Sequence, residues 1–294
     1  MLRFNFKKSV SLGLLIAWYV HALAQSNQAN SLCWKVTGPG INNPSYVFGT
    51  IHLIPKKDFF LSKPAEEAFK SCKTLALEVD LNMSKETKKE VGMAAILPDN
   101  KTIFDYCTTA EAELIQSFLR DSVKMSGLKI KLYSRLKPFY LQSLVLKEQL
   151  KATRSYEETF AKMAKKKKMN QVGLEDITLQ MKILDTVSIA SQIKEMLQSI
   201  NKGAAGIRTL NEMIVVYKEQ NIEKLHHMTI SEEGNFEQFE DVFLNHRNER
   251  WIPEIEKLVK QQPTFIAVGA AHLGGEKGVL NLLRQKGYNI EPIF

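Results

Sequence analysis

Apolar residues occur along this chain in two patterns, short continuous runs and longer stretches with helical spacing. A short continuous run bounded by turn residues is typical of a buried β-strand. The runs that predict strands are Leu32–Val36, Tyr46–Ile54, Thr74–Val79, Gln171–Glu175 and Thr264–Val268, with a last edge strand at Tyr288–Ile293.

Stretches rich in Leu, Lys, Glu, Met and Gln with helical periodicity separate these strands. A helix opens at Ser62-Lys63-Pro64, because proline is tolerated in the first turn, and ends near Ser71. Leu225–Gly234 is expected to be irregular. Further helices are predicted at Ala110–Leu119, Pro138–Leu150, Tyr156–Lys167, Ile177–Ile200, Ala205–Glu219, Phe236–Trp251, Pro253–Gln262 and Glu276–Lys286.

The alternation of strands and helices predicts the fold class. Tyr46–Val79 reads as strand, helix, strand, and such crossovers place parallel strands next to one another. The expected class is α/β (α+β), with a central mixed, partly parallel sheet, flanking helices and a large helical insertion. One domain is predicted over 25–294. Its core comprises 32–83, 170–176 and 236–294, its insertion spans about 84–168, and further helices cover 177–219.

The first 24 residues have the order of a secretory signal peptide. Arg3, Lys7 and Lys8 precede the apolar run Val10–Val20, and small residues follow, with cleavage expected after Ala24. An uncleaved anchor is the alternative, but the run is shorter than the roughly 20 residues that span a bilayer. The mature chain is therefore expected to be periplasmic or secreted, without a stable membrane span.

Composition and charge exclude several classes. The chain is 44% hydrophobic and 24% charged, which is ordinary for a globular protein. The net charge of +8 includes three signal-peptide cations, so the mature chain is only mildly basic and no nucleic-acid partner is expected. In an oxidising compartment Cys33, Cys72 and Cys107 would allow one disulfide, without indicating which pair.

Two strands end in the same pattern, Gly-x-x-His-Leu. His52 follows Gly49, and His272 follows Gly269. A single histidine after a strand is usually structural, but the repeated context favours a functional pair. Both glycines are expected to allow a tight turn, and both histidines should lie at the exposed edge of the sheet.

Two carboxylates also end strands. Glu78 follows Thr74–Leu77 and Glu175 follows Gln171–Leu174. Because ligands of α/β sheets bind at the carboxyl ends of strands, the two acids and two histidines form a candidate metal site. Imidazole and carboxylate suit Zn, Mn, Co or Fe. An open coordination position would let the metal activate a water molecule.

A polar pair, Arg247 and Asn248, is expected at the end of the helix Phe236–Trp251. Arginine could clamp a carboxylate or stabilise an oxyanion, and asparagine could donate a hydrogen bond. A helix-surface pair is the alternative. The chain contains no Gly-x-Ser-x-Gly elbow, phosphate-binding loop or His-Glu-x-x-His helix, so those catalytic classes are not indicated.

The chain resembles the TraB/GumN family in FGTIHLIP (48–55), LALEVD (75–80), VGLED (172–176), RNERW (247–251) and AVGAAHLGGEKGVLNLLRQKGY (267–288). That family includes the TIKI proteases, metal-dependent peptidases that act on Wnt proteins. It is similar in fold to erythromycin-esterase-like and haem-binding ChaN-like proteins. The resemblance implies that His52, Glu78 and His272 form the metal centre or its acid–base partners. Glu175, Arg247 and Asn248 would complete the pocket.

Together these observations predict an exported metal-dependent hydrolase, with a peptide or protein substrate. Mn, Co or Zn would bind through His52, His272 and one or both glutamates, Glu78 and Glu175. The glutamate that is not a tight ligand would act as general base. The alternative is a non-catalytic protein that captures a peptide or haem in the same cleft.

Overall fold

A computed structural model describes residues 30–150, 152–231 and 239–294. The predicted signal peptide lies outside the described residues. Within them, Ser31–Phe294 form one compact unit. No described helix has both the length and the apolar character needed to cross a lipid bilayer.

The central sheet contains six strands: β1 Cys33–Thr37, β2 Ser45–Thr50, β4 Thr74–Val79, β6 Asn170–Glu175, β7 Thr264–Gly269 and β8 Asn289–Ile293. Their order in the sheet is β6-β4-β7-β2-β1-β8. The four neighbouring strands β6, β4, β7 and β2 run parallel, while β1 is antiparallel to both β2 and β8. The mixed, partly parallel sheet and flanking helices confirm the predicted fold class. A separate two-stranded sheet is formed by β3 Ile54–Pro55 and β5 Thr153–Arg154.

Twelve α-helices occur in the described residues, most of them in the insertion between β4 and β7. The bounds are α1 Lys63–Ser71, α2 Lys85–Ala94, α3 Thr109–Ser117, α4 Gly127–Tyr133, α5 Pro138–Leu150, α6 Tyr156–Lys167, α7 Ile177–Asp185, α8 Ile189–Lys202, α9 Ala204–Lys218, α10 Ile222–Ile230, α11 His246–Gln261 and α12 Val279–Gln285. The helices expected at α1, α5 and α6 are confirmed almost to the residue.

The expected adjacency of β2 and β4 is wrong. They are parallel, but β7 lies between them and pairs with both. The crossover from β2 through α1 to β4 leaves space for one strand between β2 and β4. The strand that fills this space is β7, from the distant C-terminal part of the chain. The two Gly-x-x-His strands, β2 and β7, are consequently direct neighbours.

The core covers both faces of the sheet. Phe69 of α1 and Phe160 of α6 pack with Phe48 and Phe265 on one face. Successive side chains of a strand point to opposite faces, so Ile266, which is also fully buried, faces the other side. There α11 contacts β6 and β7 and packs on α12.

Three helix predictions are wrong. The expected Ile177–Ile200 helix is broken between α7 and α8, where Ser188 accepts a hydrogen bond from the N–H of Ser191 and starts a new helix. The segment expected to be irregular contains α10, which Asn221 caps through Lys224 N–H. The last helix begins at Val279 rather than Glu276.

The segment before β7 forms one long helix instead of two. Residues Asp241–Asn245 make a π-helical turn, and α11 then runs through Pro253 to Gln261. Proline removes one helical hydrogen bond, but the buried residues Trp251 and Ile255 hold the helix against the core. Arg247 and Asn248 therefore lie in its first turn and not at its end.

Candidate functional site

The carboxyl ends of the four parallel strands place the predicted site residues along one edge. Thr50 of β2 pairs with Gly269 of β7, and Val79 of β4 pairs with Glu175 of β6. His52 and His272 therefore follow neighbouring strands, and Glu78 ends the strand on the other side of β7. The sheet order, rather than any local motif, brings these side chains to one place.

His272 is buried and its orientation is defined by Asn248. The Asn248 side-chain nitrogen donates to the carbonyl oxygens of His272 and Lys277, at 3.4 and 2.9 Å. Its Oδ1 therefore faces Nδ1 of His272, at 2.6 Å, and accepts the proton of that nitrogen. Nε2 is left with the lone pair. Burial lowers the pKa of His272 to about 3, so the ring is neutral. The expectation that His272 lies exposed is wrong.

Glu78 is buried beside His272. Its Oε1 accepts the Gly269 N–H at 2.9 Å and lies 3.9 Å from Nε2 of His272. Its Oε2 accepts from Arg247. Burial alone would raise the pKa of Glu78, but the Arg247 charge, with further help from the Gly269 N–H, holds it well below its usual range. Glu78 is therefore a buried carboxylate.

Arg247 joins the two predicted carboxylates. Its Nη2 donates to Glu78 and to Glu175, and its Nε also donates to Glu175 at 2.9 Å. Its Nη1 lies 3.2 Å from Nε2 of His272. Burial lowers the pKa of Arg247, but the two carboxylates outweigh that effect and raise it. The guanidinium is the centre of a buried ion cluster and also stacks on the Trp251 ring.

His52 lies apart from this cluster. Its side chain is 71% exposed, and Nδ1 is 3.0 Å from Oε1 of Glu157. The Glu157 carboxylate also accepts hydrogen bonds from Thr50 and Ser155, both at 2.7 Å. The hydrogen bond to Glu157 raises the pKa of His52 to about 9. Burial would raise the pKa of Glu157, but the hydrogen bond from His52 lowers it.

Glu157 is the site residue that the sequence analysis missed. It lies in the first turn of α6, which Ser155 caps through the N–H of Glu158. An acid in a first turn is ordinary helix chemistry, so nothing in the sequence connects it with a histidine 105 positions away. Only the fold brings α6 to the end of β2.

The two glycines of the repeated motif are required for close approach and not for an unusual backbone. Neither Gly49 nor Gly269 has a positive φ. A Cβ on Gly49 would lie 3.1 Å from the Cα of Ala270, and one on Gly269 would lie 3.3 Å from Oε1 of Glu78. The glycines therefore do not serve the tight turn that was expected. They allow β2 and β7 to pack closely at the site.

The donor chemistry of part of the predicted set fits a divalent metal. Glu78 and His272 present Oε1 and Nε2 3.9 Å apart, and both histidines have Nδ1 on an oxygen acceptor, which is the usual support of a metal-binding imidazole. Glu175 fits poorly, because Arg247 engages its Oε1 twice. As the side chains stand, no three His, Cys, Asp or Glu residues of the described chain converge on one metal position.

A cleft of about 640 Å³ opens onto these groups. His52, Glu78, Arg247 and His272 line one end of it, whereas Glu175 does not line it. The insertion helices α5, α7, α9 and α10 and the π-helical turn supply mainly apolar walls. The insertion therefore turns a shallow sheet edge into a pocket of the size that holds small ligands, about 300–1,000 Å³.

The other chemically interesting residues lie outside this cluster or have structural roles. Asp80 accepts the N–H of Asn82, and His226 binds the carbonyl oxygen of Ala271 through Nδ1. All three cysteines are free thiols. Burial raises the pKa of Cys33 and of Cys72 to about 12.

Comparison with known proteins supports the resemblance found in the motifs. The sequence matches the profile of the TraB/PrgY/gumN family over residues 32–292. Neither the curated proteins nor the solved structures include a significant match to this chain. Since the family match spans the whole central sheet and the cluster of Glu78, Arg247 and His272, the chain belongs to the TraB/PrgY/gumN family.

Proposed function

We propose that this protein is an exported metal-dependent hydrolase that cleaves peptides. His52, His272 and Glu78 would hold a divalent ion, Mn, Co or Zn. The observation that carries the proposal is the buried pair of Glu78 Oε1 and His272 Nε2, 3.9 Å apart at the end of the cleft, with His52 just beyond the end of the neighbouring strand β2.

The side chains around the site have distinct roles in this proposal. A bound divalent ion would lower the pKa of water and polarise a carbonyl group. Asn248 and Glu157 each accept an Nδ1 proton, which leaves Nε2 of His272 and of His52 as the nitrogens that would hold an ion. Nε2 of His272 accepts a hydrogen bond from Arg247 at 3.2 Å, and an ion would have to replace that contact. His52 lines the cleft, and its exposed ring would have to move towards His272 and Glu78 to share an ion with them.

Glu78 and Glu175 have different roles in this proposal. Glu78 lines the cleft and is the carboxylate available as ligand or proton acceptor. Glu175 does not line the cleft and is bound to Arg247, so it acts as a positioning residue for that guanidinium. Arg247 in turn keeps Glu78 ionised and fixed. Glu175 would therefore not be the general base, and Glu78, which would hold the ion, would not be free to act as one.

The alternative is non-catalytic capture of a peptide or haem in the same cleft. One observation favours it: Arg247 already pairs with both Glu78 and Glu175, so half of their negative charge is compensated without a metal. A Soret band that forms on haem titration and is lost in His52→Ala would support capture of haem.

Metal content is the direct test. Chelator-treated protein would be dialysed against Mn, Co or Zn and the bound metal measured by mass spectrometry. We expect about one ion per chain, none in the His52→Ala/His272→Ala variant, and an unchanged value in His227→Ala, an exposed histidine of α10. Equal metal content in all three proteins would reject the proposed centre.

Turnover and export are tested separately. Glu78→Gln should abolish metal-dependent cleavage in a peptide-library screen while retaining a cooperative thermal transition. Full cleavage by that variant would remove Glu78 from the mechanism. N-terminal sequencing of protein recovered from the periplasm or medium should begin at Gln25, and a retained residue 1 would exclude signal cleavage.

A further inference from the structure

The short helix α4 presents two large apolar side chains to solvent. Leu128 and Leu132 are four positions apart, so they lie on the same side of the helix, and their exposed fractions are 78% and 61%. Leu128 is the most exposed large apolar side chain among residues 30–150, 152–231 and 239–294. Single exposed leucines are ordinary on protein surfaces, but two neighbouring ones on one helix indicate a surface that contacts a partner.

The opposite side of α4 is fixed to the rest of the insertion. Ser126 caps the helix by accepting the N–H of Lys129. Ile130 and Tyr133 pack against a second hydrophobic cluster, which is separate from the core of the sheet. Because these inward side chains hold the helix, Leu128 and Leu132 are directed outward by a helix that has its own packing.

The chain around α4 is strongly basic. Residues 120–137 contain six cations and a single acid, Asp121, and no other acid occurs before Glu148. Three of the cations have carboxylate partners; these pairs are Arg120–Asp121, Lys129–Glu148 and Lys137–Asp185.

The other three cations, Lys124, Lys131 and Arg135, keep their charge uncompensated. In the part of the chain that the structure describes, none of them has a carboxylate within salt-bridge distance, and Arg135 instead donates to the amide oxygen of Asn100 at 2.9 Å. All three are exposed. Two apolar side chains surrounded by uncompensated cations are typical of a surface that binds anionic lipid.

We propose that α4 docks this protein onto a lipid bilayer with anionic headgroups. Leu128 and Leu132 would enter the boundary between headgroups and acyl chains, while Lys124, Lys131 and Arg135 would lie against the headgroup charges. A bilayer supplies both an apolar phase and fixed negative charge to this surface. The cleft residues take no part in docking, which is therefore independent of the proposed metal chemistry.

A second copy of this chain fits the same surface less well. A two-fold contact between α4 helices would bring the uncompensated cations of one copy against those of the other, and like charges repel one another. A stable protein interface also buries about 800 Å² on each partner. The apolar part of the α4 surface consists of only two leucine side chains, whereas a fluid bilayer requires no matching shape.

The first test measures co-sedimentation of the chain that begins at Gln25 with lipid vesicles. This chain contains the whole compact unit Ser31–Phe294 and lacks the apolar run Val10–Val20, which would bind lipid by itself. Vesicles of phosphatidylcholine with about 30% phosphatidylglycerol should bind it at least about tenfold more tightly than pure phosphatidylcholine vesicles. Raising the salt from about 0.1 M to about 1 M should weaken that binding. Equal binding to both vesicles, or to neither, would overturn the proposal.

The apolar contribution is tested by Leu128→Gln/Leu132→Gln. This variant should lose about tenfold or more of the affinity for the anionic vesicles, because both apolar side chains are removed from the lipid boundary. Val215→Gln is the control, since Val215 is an exposed apolar residue of a different helix, α9. Unchanged affinity of the double variant would contradict the proposal, as would a dimer of the unmodified protein in light scattering that this variant abolishes.

The charged contribution is tested by Lys124→Gln/Lys131→Gln/Arg135→Gln. Each cation near an anionic surface contributes a factor of about five, so this variant should lose about a hundredfold of the affinity. The matched control, Lys165→Gln/Lys166→Gln/Lys168→Gln, removes the same charge from exposed lysines at the end of α6. An equal loss in both triple variants would show a general attraction of a basic protein and reject α4 as the docking surface.

A fluorescent reporter on α4 tests its insertion directly. In the chain that begins at Gln25 both tryptophans, Trp34 and Trp251, are fully buried. Leu128→Trp therefore adds an exposed indole, whose fluorescence should be quenched by anionic vesicles with brominated acyl chains. Val215→Trp should not be quenched by the same vesicles. Equal quenching of the two variants, or bound protein without quenching of Leu128→Trp, would refute insertion through α4.

Discussion

Replacement of Arg247 by alanine is the perturbation whose consequence the structure defines best. The guanidinium is the shared partner of two buried carboxylates, Glu78 and Glu175, whose side chains are 7% and 3% exposed. Its removal leaves two negative charges close together and away from water.

The expected loss of stability is large. Removing one partner of a buried ion pair costs about 3–5 kcal/mol, because the other charge stays buried. At about 2–4 °C per kcal/mol for a domain of roughly this size, the melting temperature should fall by about 6–20 °C at pH 7.5. The matched control is Arg250→Ala. Arg250 is 44% exposed and lies 4.0 Å from Glu175, so its loss should cost at most about 1 kcal/mol.

The pH dependence of the melting temperature tests the same reasoning independently of the size of the stability loss. In the unmodified protein the folded-state pKa of Glu78 lies below its ordinary value of 4.5. The stabilisation is therefore fully present above about pH 4.5 and is lost only at lower pH. In the variant, burial without Arg247 raises the pKa of Glu78, so folding takes up a proton and stability increases as pH falls from 7.5 to 5. The difference between the two melting temperatures should narrow over that range.

Differential scanning fluorimetry of metal-free protein at pH 7.5 and pH 5 measures both effects. The combined variant Arg247→Met, Glu78→Gln, Glu175→Gln removes all three charges and should recover at least about half of the lost stability, because uncharged replacements avoid the buried charge. A loss below about 1 kcal/mol in Arg247→Ala, or a difference that widens at pH 5, would refute the reasoning.

Two further predictions concern single groups. In metal-free Glu157→Gln, NMR titration should show the pKa of His52 falling from about 9 towards 6.5. In the unmodified protein, the stabilisation from the His52–Glu157 pair is present below pH 6.5 and is lost as pH rises through about 9. An unchanged pKa of His52 in the variant would show that Glu157 does not cause the shift. In native protein at pH 8, a thiol reagent should modify the partly exposed Cys107 before Cys33 and Cys72, which are buried and have a pKa of about 12. Equal rates of modification would contradict the burial of Cys33 and Cys72.

Several structural features could be predicted from local sequence because their causes are local. The strand Thr74–Val79 is confirmed, since an apolar run of that length is buried on both faces. The helix α1 begins after Ser62, whose side chain accepts the Ala65 N–H, and Pro64 lies in its first turn. The family motifs are likewise contiguous in sequence, and the family match confirms what they indicated.

The composition of the site required information that local sequence does not contain. The two histidines looked equivalent, yet His272 is buried on Asn248 while His52 is exposed on Glu157. That difference arises because Asn248 of α11 lies against His272 after β7, whereas the first turn of α6 brings Glu157 to the end of β2. The roles of Glu175 and Arg247 also depend on the long helix through Pro253, which the proline alone would argue against.

The sequence by itself determined the strands and most of the helices that hold the core, the residues that could carry chemistry, and the family. These follow from periodicity, capping and short motifs, in which each residue acts on near neighbours. Tertiary structure alone decided that β7 enters between β2 and β4, that Arg247 joins Glu78 to Glu175, and that the insertion helices form an apolar cleft. Arg247 lies 169 positions from Glu78 and 72 from Glu175. The free energy of such contacts depends on the whole sheet order rather than on any local preference.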